Sequence, residues 1–264
     1  MAPPALRMPK AERCREHLHR LSQWDDFLLA ESGLPGPRAN LELAQTVADL
    51  GDPALFRRYL SLKPAQAPAN SAQVFLVICG VIGYERLLAD GQTSALGTLR
   101  TCAGDSRWRV REGVALALQR VGAKDMRTLL RYMRDWSHGT LLEQRAVAAA
   151  LAEPRLLRDA KVAKAVLGVL RQITRGIVAL RDRTGPDFLT LRQTLGYAWS
   201  VAVAALPVEG KRQIERWITT SDKDVIWIMK ENLTKKRLTQ LGPEWVARCQ
   251  RKLATRSSDA RRRR

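Results

Sequence analysis

The stretch Asp105-Ser-Arg-Trp108-Arg-Val110-Arg111-Glu112-Gly-Val114-Ala-Leu-Ala-Leu118-Gln-Arg120-Val121-Gly122, continued by Lys124-Asp-Met126-Arg-Thr-Leu129-Leu130-Arg-Tyr-Met133, decides the fold. Val110, Val114, Leu118 and Val121 recur at i, i+4, i+8 and i+11, which puts them on one face of a helix that Gly122 is expected to stop. Met126, Leu129, Leu130 and Met133 follow at i, i+3, i+4 and i+7 and predict a second helix directly after the first. Neither helix can bury its apolar face alone, so the unit calls for neighbours of the same kind.

Working outward, the same grammar recurs. In Leu43-Ala-Gln-Thr-Val47-Ala-Asp-Leu50-Gly51-Asp52-Pro53, Gly51 ends one helix and Pro53 opens the next, which Phe56, Tyr59 and Leu60 continue. In Val74-Phe-Leu-Val-Ile-Cys-Gly-Val-Ile82-Gly83 the Ile-Gly pair reads as another helix end. Gly51, Gly83 and Gly122 are separated by 32 and 39 residues, and Leu142 to Leu151 lies about 33 further on, a spacing within the range of helical repeats. Further stripes run through Val162, Val166, Val169, Ile173 and Ile177, then through Leu191, Leu195, Ala198, Ala202 and Ala205 up to Pro207. Ile214, Trp217 and Ile218 mark a short helix, Ser221-Asp222 an N-cap before Val225 to Leu233, and Gly242-Pro243 the break before a last helix around Trp245 to Leu253. The reading is all-α, with about a dozen helices. It takes the form of a right-handed α-solenoid of about six helix pairs in a single domain over residues 1–253. Residues 1–35 form an N-terminal capping pair, 40–240 the repeats, and 254–264 a disordered basic tail.

Asp105 to Gly122 resembles the HEAT-repeat pattern, with an Asp in the inter-helix turn, Val110-Arg111 five and six residues later, then small residues and Leu. The resemblance implies that Arg111 reaches a turn aspartate such as Asp105. The segments Leu195-Gly-Tyr-Ala-Trp199-Ser-Val and Asp224-Val-Ile-Trp227-Ile-Met-Lys-Glu-Asn-Leu233-Thr-Lys-Lys-Arg237-Leu238 are similar to the HEAT-like DNA glycosylases, the AlkD-like proteins of DNA alkylation repair. In that group a Trp and an Asp one helical turn apart, with a second Trp across a groove, stabilise a cationic base and the sugar cation. The nearest match is Trp108 with Glu112, at i and i+4 on one helix face, Glu standing where the family has Asp. Trp199 or Trp227 would be the opposing aromatic, and Trp136 beside Asp135 is a further candidate. All four also fit ordinary repeat packing.

Composition narrows the function classes. The 264 residues carry a net charge of +19, with 45% hydrophobic but only 6% aromatic residues, too few aromatics for an all-β domain. No run approaches the roughly 18 uncharged apolar residues that a membrane span requires, and MAPPALRMPK lacks the apolar core of a signal peptide. The expectation is a monomer of the bacterial cytosol or nucleoid with no membrane association. Four scattered cysteines without CxxC spacing indicate neither a disulfide framework nor zinc, and Cys14, His17 and His19 do not share one helix face. His138 has no visible relay partner, and phosphate-loop and dinucleotide motifs are absent, so no cofactor or small-molecule ligand is expected.

The charge is local. Residues 1–50 carry six Lys/Arg against seven Asp/Glu, while 100–134 and 155–192 each carry nine against three, and 251–264 seven against one. Arg120, Arg127, Arg131 and Arg134 form one cluster. Lys161, Lys164, Arg171 and Arg175 form a ridge opposite the Val162 to Ile177 stripe. Ridges of this kind track a phosphate backbone, so DNA is the expected partner and the protein is expected to bind without catalysis. The alternatives are an alkylpurine glycosylase using Trp108 and Glu112, a scaffold gripping an acidic protein, or a solvated polar face with no ligand.

Overall fold

The computed structural model describes the backbone of residues 9–262 and side chains from 9 to 255. The start of the chain and most side chains of the basic tail therefore lie outside the described residues. Fifteen α-helices and one 3-10 turn account for the described secondary structure, and no strand occurs among the described residues. None of the described helices is long and apolar enough to cross a membrane. The chain divides into two compact units, Met1–Val121 and Gly122–Arg264.

The first unit contains α1 (Lys10–Arg20), α2 (Asp25–Glu31), α3 (Leu41–Leu50), α4 (Pro53–Leu60), α5 (Val74–Ala89), α6 (Ser94–Ala103) and α7 (Trp108–Lys124), with the unit boundary in the last turn of α7. Helix α5 has no polar face because α2, α3, α4 and α6 all pack on it, and 13 of its 16 residues are buried. Asp52 starts α4 as expected from Asp52-Pro53: its carboxylate accepts from the Leu55 amide at 2.7 Å, and Pro53 takes the first helical position.

Two glycines read as helix stops prove to be points of close approach. Helix α5 runs through Gly83 for six more residues. A Cβ at Gly83 would fall inside the Phe56 ring of α4, so glycine lets the two helices touch there. Helix α7 likewise passes Gly122 to end at Lys124, and a Cβ at Gly122 would press on Leu129 and Leu156 at 2.7 and 3.0 Å. Only Gly51 of the three caps a helix end. The signal common to all three is packing, which sequence spacing alone renders indistinguishable from a stop.

The second unit contains α8 (Met126–Trp136), α9 (Leu141–Leu151), a 3-10 turn (Pro154–Leu156), α10 (Ala160–Ala179), α11 (Pro186–Ala205), α12 (Pro207–Trp217), α13 (Lys223–Leu233), α14 (Lys236–Leu241) and α15 (Pro243–Arg262). Helix α11 is the centre: it packs on α9 on one side and α13 on the other, with α10 and α12 alongside. Its side chains Phe188, Leu191, Leu195 and Trp199 are all buried. Asn232 of α13 donates to the Leu195 carbonyl at 2.8 Å and accepts from the Ser200 amide at 2.7 Å, a buried polar clamp between the two helices. Asp222 caps α13 as its place in the sequence predicts; Thr140 and Glu143 form a capping box on α9 and Asp159 caps α10. The short helix α14 was not foreseen, and the backbone of α15 stays helical past residue 253, where the tail was expected to begin.

Candidate nucleic-acid interface

The arginines of the 100–134 band divide into two groups. Arg107, Arg109, Arg111 and Arg120 are bound to acceptors inside the first unit. Arg107 is buried, and its guanidinium forks onto the Asp105 carboxylate at 2.9 and 2.7 Å while donating to the Leu62 carbonyl at 2.9 Å. Burial would raise the Asp105 pKa, but the Arg107 hydrogen bonds outweigh it and hold this carboxyl below its ordinary value. Arg111 donates to the backbone carbonyls of Asp105 and Ser106 at 2.6 and 3.1 Å. Arg109 donates to the carbonyls of Ala69 and Gly36 at 3.2 and 3.1 Å.

Arg120 is likewise internal. Its guanidinium joins Asp49 of α3 at 2.5 Å and Glu85 of α5 at 3.0 Å, and the Glu85 side chain is 0% exposed. The ion pairs tie α3, α5 and α7 into one layer. Arg120 thus separates from the three arginines with which its sequence position grouped it. Its partners lie 71 and 35 residues back, and nothing local marks them.

Arg127, Arg131 and Arg134 on α8 are exposed and form no ion pair among the described residues. At i, i+4 and i+7 they make one stripe, opposite Leu129, Met133 and Trp136, which are buried. Arg131 lies over the Tyr132 ring and donates to the Thr128 hydroxyl. On α10, Lys161, Lys164 and Arg175 are exposed and Arg171 half-buried, again without ion pairs, while Ala163, Val166, Leu170, Ile173 and Ile177 face inward. Gln172 donates to the Ser137 hydroxyl at 3.1 Å, which sets the C-terminal end of α8 against the middle of α10. Leu129 of α8 and Leu156 of the 3-10 turn both close on Gly122. The second unit thereby carries two basic stripes, one on α8 and one on α10. In the same band Arg183 and Arg192 are spent on Asp222 and Asp224 at 2.7 to 3.1 Å.

Trp108 and Glu112 do share a site. Both line a cavity of about 660 Å³ in open communication with solvent, formed with Arg38, Asn40, Leu41 and Glu42. Trp108 is 39% exposed. One ring face is covered, since the Arg109 guanidinium sits 4.2 Å from the ring centroid. That face cannot stack a base, and a fixed cation there opposes a second, positively charged one.

The proposed opposing aromatics are placed otherwise. Trp199 is 0% exposed and donates its indole N–H to Thr174 at 3.0 Å, a core residue. Trp136 is also buried. Trp227 is half-buried under the Arg192 guanidinium, 4.5 Å from its centroid. His138 Nε2 lies 2.9 Å from the Gln172 amide, and His17 stacks on Phe27. No cluster of three metal-capable side chains occurs among the described residues. No family model, curated protein or solved structure matches the chain.

Proposed function

We propose that this protein is a HEAT-like helical-repeat binding module that contacts the phosphate backbone of DNA through the second unit, without catalysis. The carrying observation is the division of the positive charge. Arg120 on α7 is paired with carboxylates and Arg109 and Arg111 donate to backbone carbonyls, whereas Arg127, Arg131, Arg134, Lys161, Lys164, Arg171 and Arg175 on α8 and α10 form no ion pair among the described residues. The α10 stripe has no interleaved carboxylate, and the one acidic residue within α8, Asp135, forms no ion pair among the described residues. Repeat stacking is supported by α9 and α13 both packing on α11. A scaffold for an acidic protein would use the same cations. Duplex DNA should be retarded in a gel shift at low salt by the wild type and not by R127Q/R131Q/R134Q. Retention of a co-purifying acidic protein after nuclease treatment, with no DNA retardation, would replace this reading with the scaffold.

A second reading, glycosidic-bond cleavage on alkylated DNA, is favoured by one observation, the cavity that Trp108 and Glu112 share. Base release from methylated duplex by the wild type, lost in E112Q, supports it. No release from the wild type removes it.

A further inference from the structure

The second unit also contains a cleft that the two basic stripes do not include. It has a volume of about 720 Å³, and its floor is the last turns of α11, at Val201, Ala204 and Ala205. One wall is the segment between the 3-10 turn and α10, carrying Arg158. The other is the start of α14, carrying Lys235, Lys236 and Arg237. Helix α11 packs on both the 3-10 turn and α14, so the two walls are held by a single helix. The alanines keep the floor low, and every charged residue of the walls is a cation.

No carboxylate lines the cleft. Arg158, Lys236 and Arg237 are exposed and form no ion pair among the described residues. Lys235 alone is engaged, with Glu231 one turn earlier on α13 at 3.7 Å, a solvent-screened contact. The acidic residues nearest in the chain to Arg158 are turned to backbone amides. Asp159 accepts from the Lys161 and Val162 amides at 2.7 and 3.1 Å, and Glu153 from the Arg155 amide at 3.2 Å.

We infer that this cleft seats the sugar–phosphate backbone of a nucleic acid, with Arg158, Lys236 and Arg237 on phosphate oxygens and the α11 floor against the sugars. The inference rests on the nucleic-acid reading above and gives it a specific seat. A planar guanidinium presents paired N–H donors to phosphate oxygens, and lysines add point charges. Cations gathered without counter-charge repel one another, and a bound polyanion relieves that repulsion. A polymer fits better than a lone phosphate because exposed cations continue in the chain beyond the cleft: Lys161 and Lys164 stand on α10, which begins two residues after Arg158.

The test is duplex-DNA affinity by fluorescence anisotropy, measured over a range of salt for the full chain, for R158Q/K236Q/R237Q, and for R212Q/R216Q/K223Q. The last variant removes three exposed charges elsewhere in the unit. Raising salt from about 50 to 200 mM weakens binding by roughly 3.5-fold per phosphate contact, so losing three contacts should shrink the salt-driven loss by about 40-fold. The cleft variant should show this change and the control should not, with circular dichroism unaltered in both. Equal changes in the two variants, or none in the cleft variant while the wild type binds, overturn the cleft and leave DNA binding standing. No wild-type binding at low salt overturns both.

Discussion

Replacing Arg120 by methionine should unfold the protein more easily without weakening its hold on DNA. The guanidinium is the point at which α3, α5 and α7 meet, bonded to Asp49 at 2.5 Å and to Glu85, whose side chain is 0% exposed, at 3.0 Å. Methionine fills similar space but leaves a buried carboxylate without that cation. Removing one partner of a fully buried pair costs about 3–5 kcal/mol. Arg120 and Asp49 retain some solvent contact, which lowers the expectation to about 2–4 kcal/mol. For a chain of this size that corresponds to a fall in Tm of roughly 5–10 °C. R131Q should do the reverse: on an exposed stripe it should shift stability by less than about 0.5 kcal/mol while lowering the salt dependence of DNA binding by one contact. Thermal unfolding followed by circular dichroism, and anisotropy well below the transition, read the two effects separately. An R120M protein that keeps its Tm but loses DNA affinity would refute the division between structural and ligand-facing arginines.

Glycine-to-alanine substitutions should change sign with position. G83A drives a methyl into the buried Phe56 ring and should destabilise by about 1–3 kcal/mol in urea unfolding despite the better helix former. G168A, in α10 where a Cβ meets nothing, should stabilise by about 0.5–1 kcal/mol. Equal effects at both sites would contradict the close approach of α4 and α5. Asp224 gives a pH signature: burial would raise its pKa, but Arg192 and Arg183 at 2.7 and 3.1 Å outweigh it and hold the carboxyl below the ordinary 3.8. With the native value depressed, the unfolded chain takes up the proton first, so this contribution is full above about pH 4 and is lost as pH falls through the native value. D224N should be less stable at neutral pH and lose less than the wild type on acidification. Parallel stability curves would count against the paired carboxylate.

Helix positions were legible because they rest on local signals, apolar stripes every three or four residues and caps such as Asp52-Pro53 and Asp222. The candidate site was legible only in part. Arg120, Arg127, Arg131 and Arg134 look equivalent in the chain, and only the fold shows that Arg120 turns to Glu85 and Asp49 while the others face water. The same holds for Gly83, whose role is set by Phe56, 27 residues away in the chain and on another helix. Arg158 and the Lys235–Arg237 run are separated by 77 residues and become neighbours only where α11 holds both ends of one cleft. Long-range pairing of this kind leaves no periodic trace. The i+4 spacing of Trp108 and Glu112 was readable, but not the guanidinium of Arg109 lying on the ring.

The most direct test of the central claim is the salt dependence of wild-type binding to duplexes of unrelated sequence. Seven cations on α8 and α10 stand without ion pairs among the described residues. If most contact phosphate, log K should fall linearly with log salt at a slope of about −4 to −6, and the slope should be the same for every duplex. A slope near zero, or no binding at about 50 mM salt, would contradict the account.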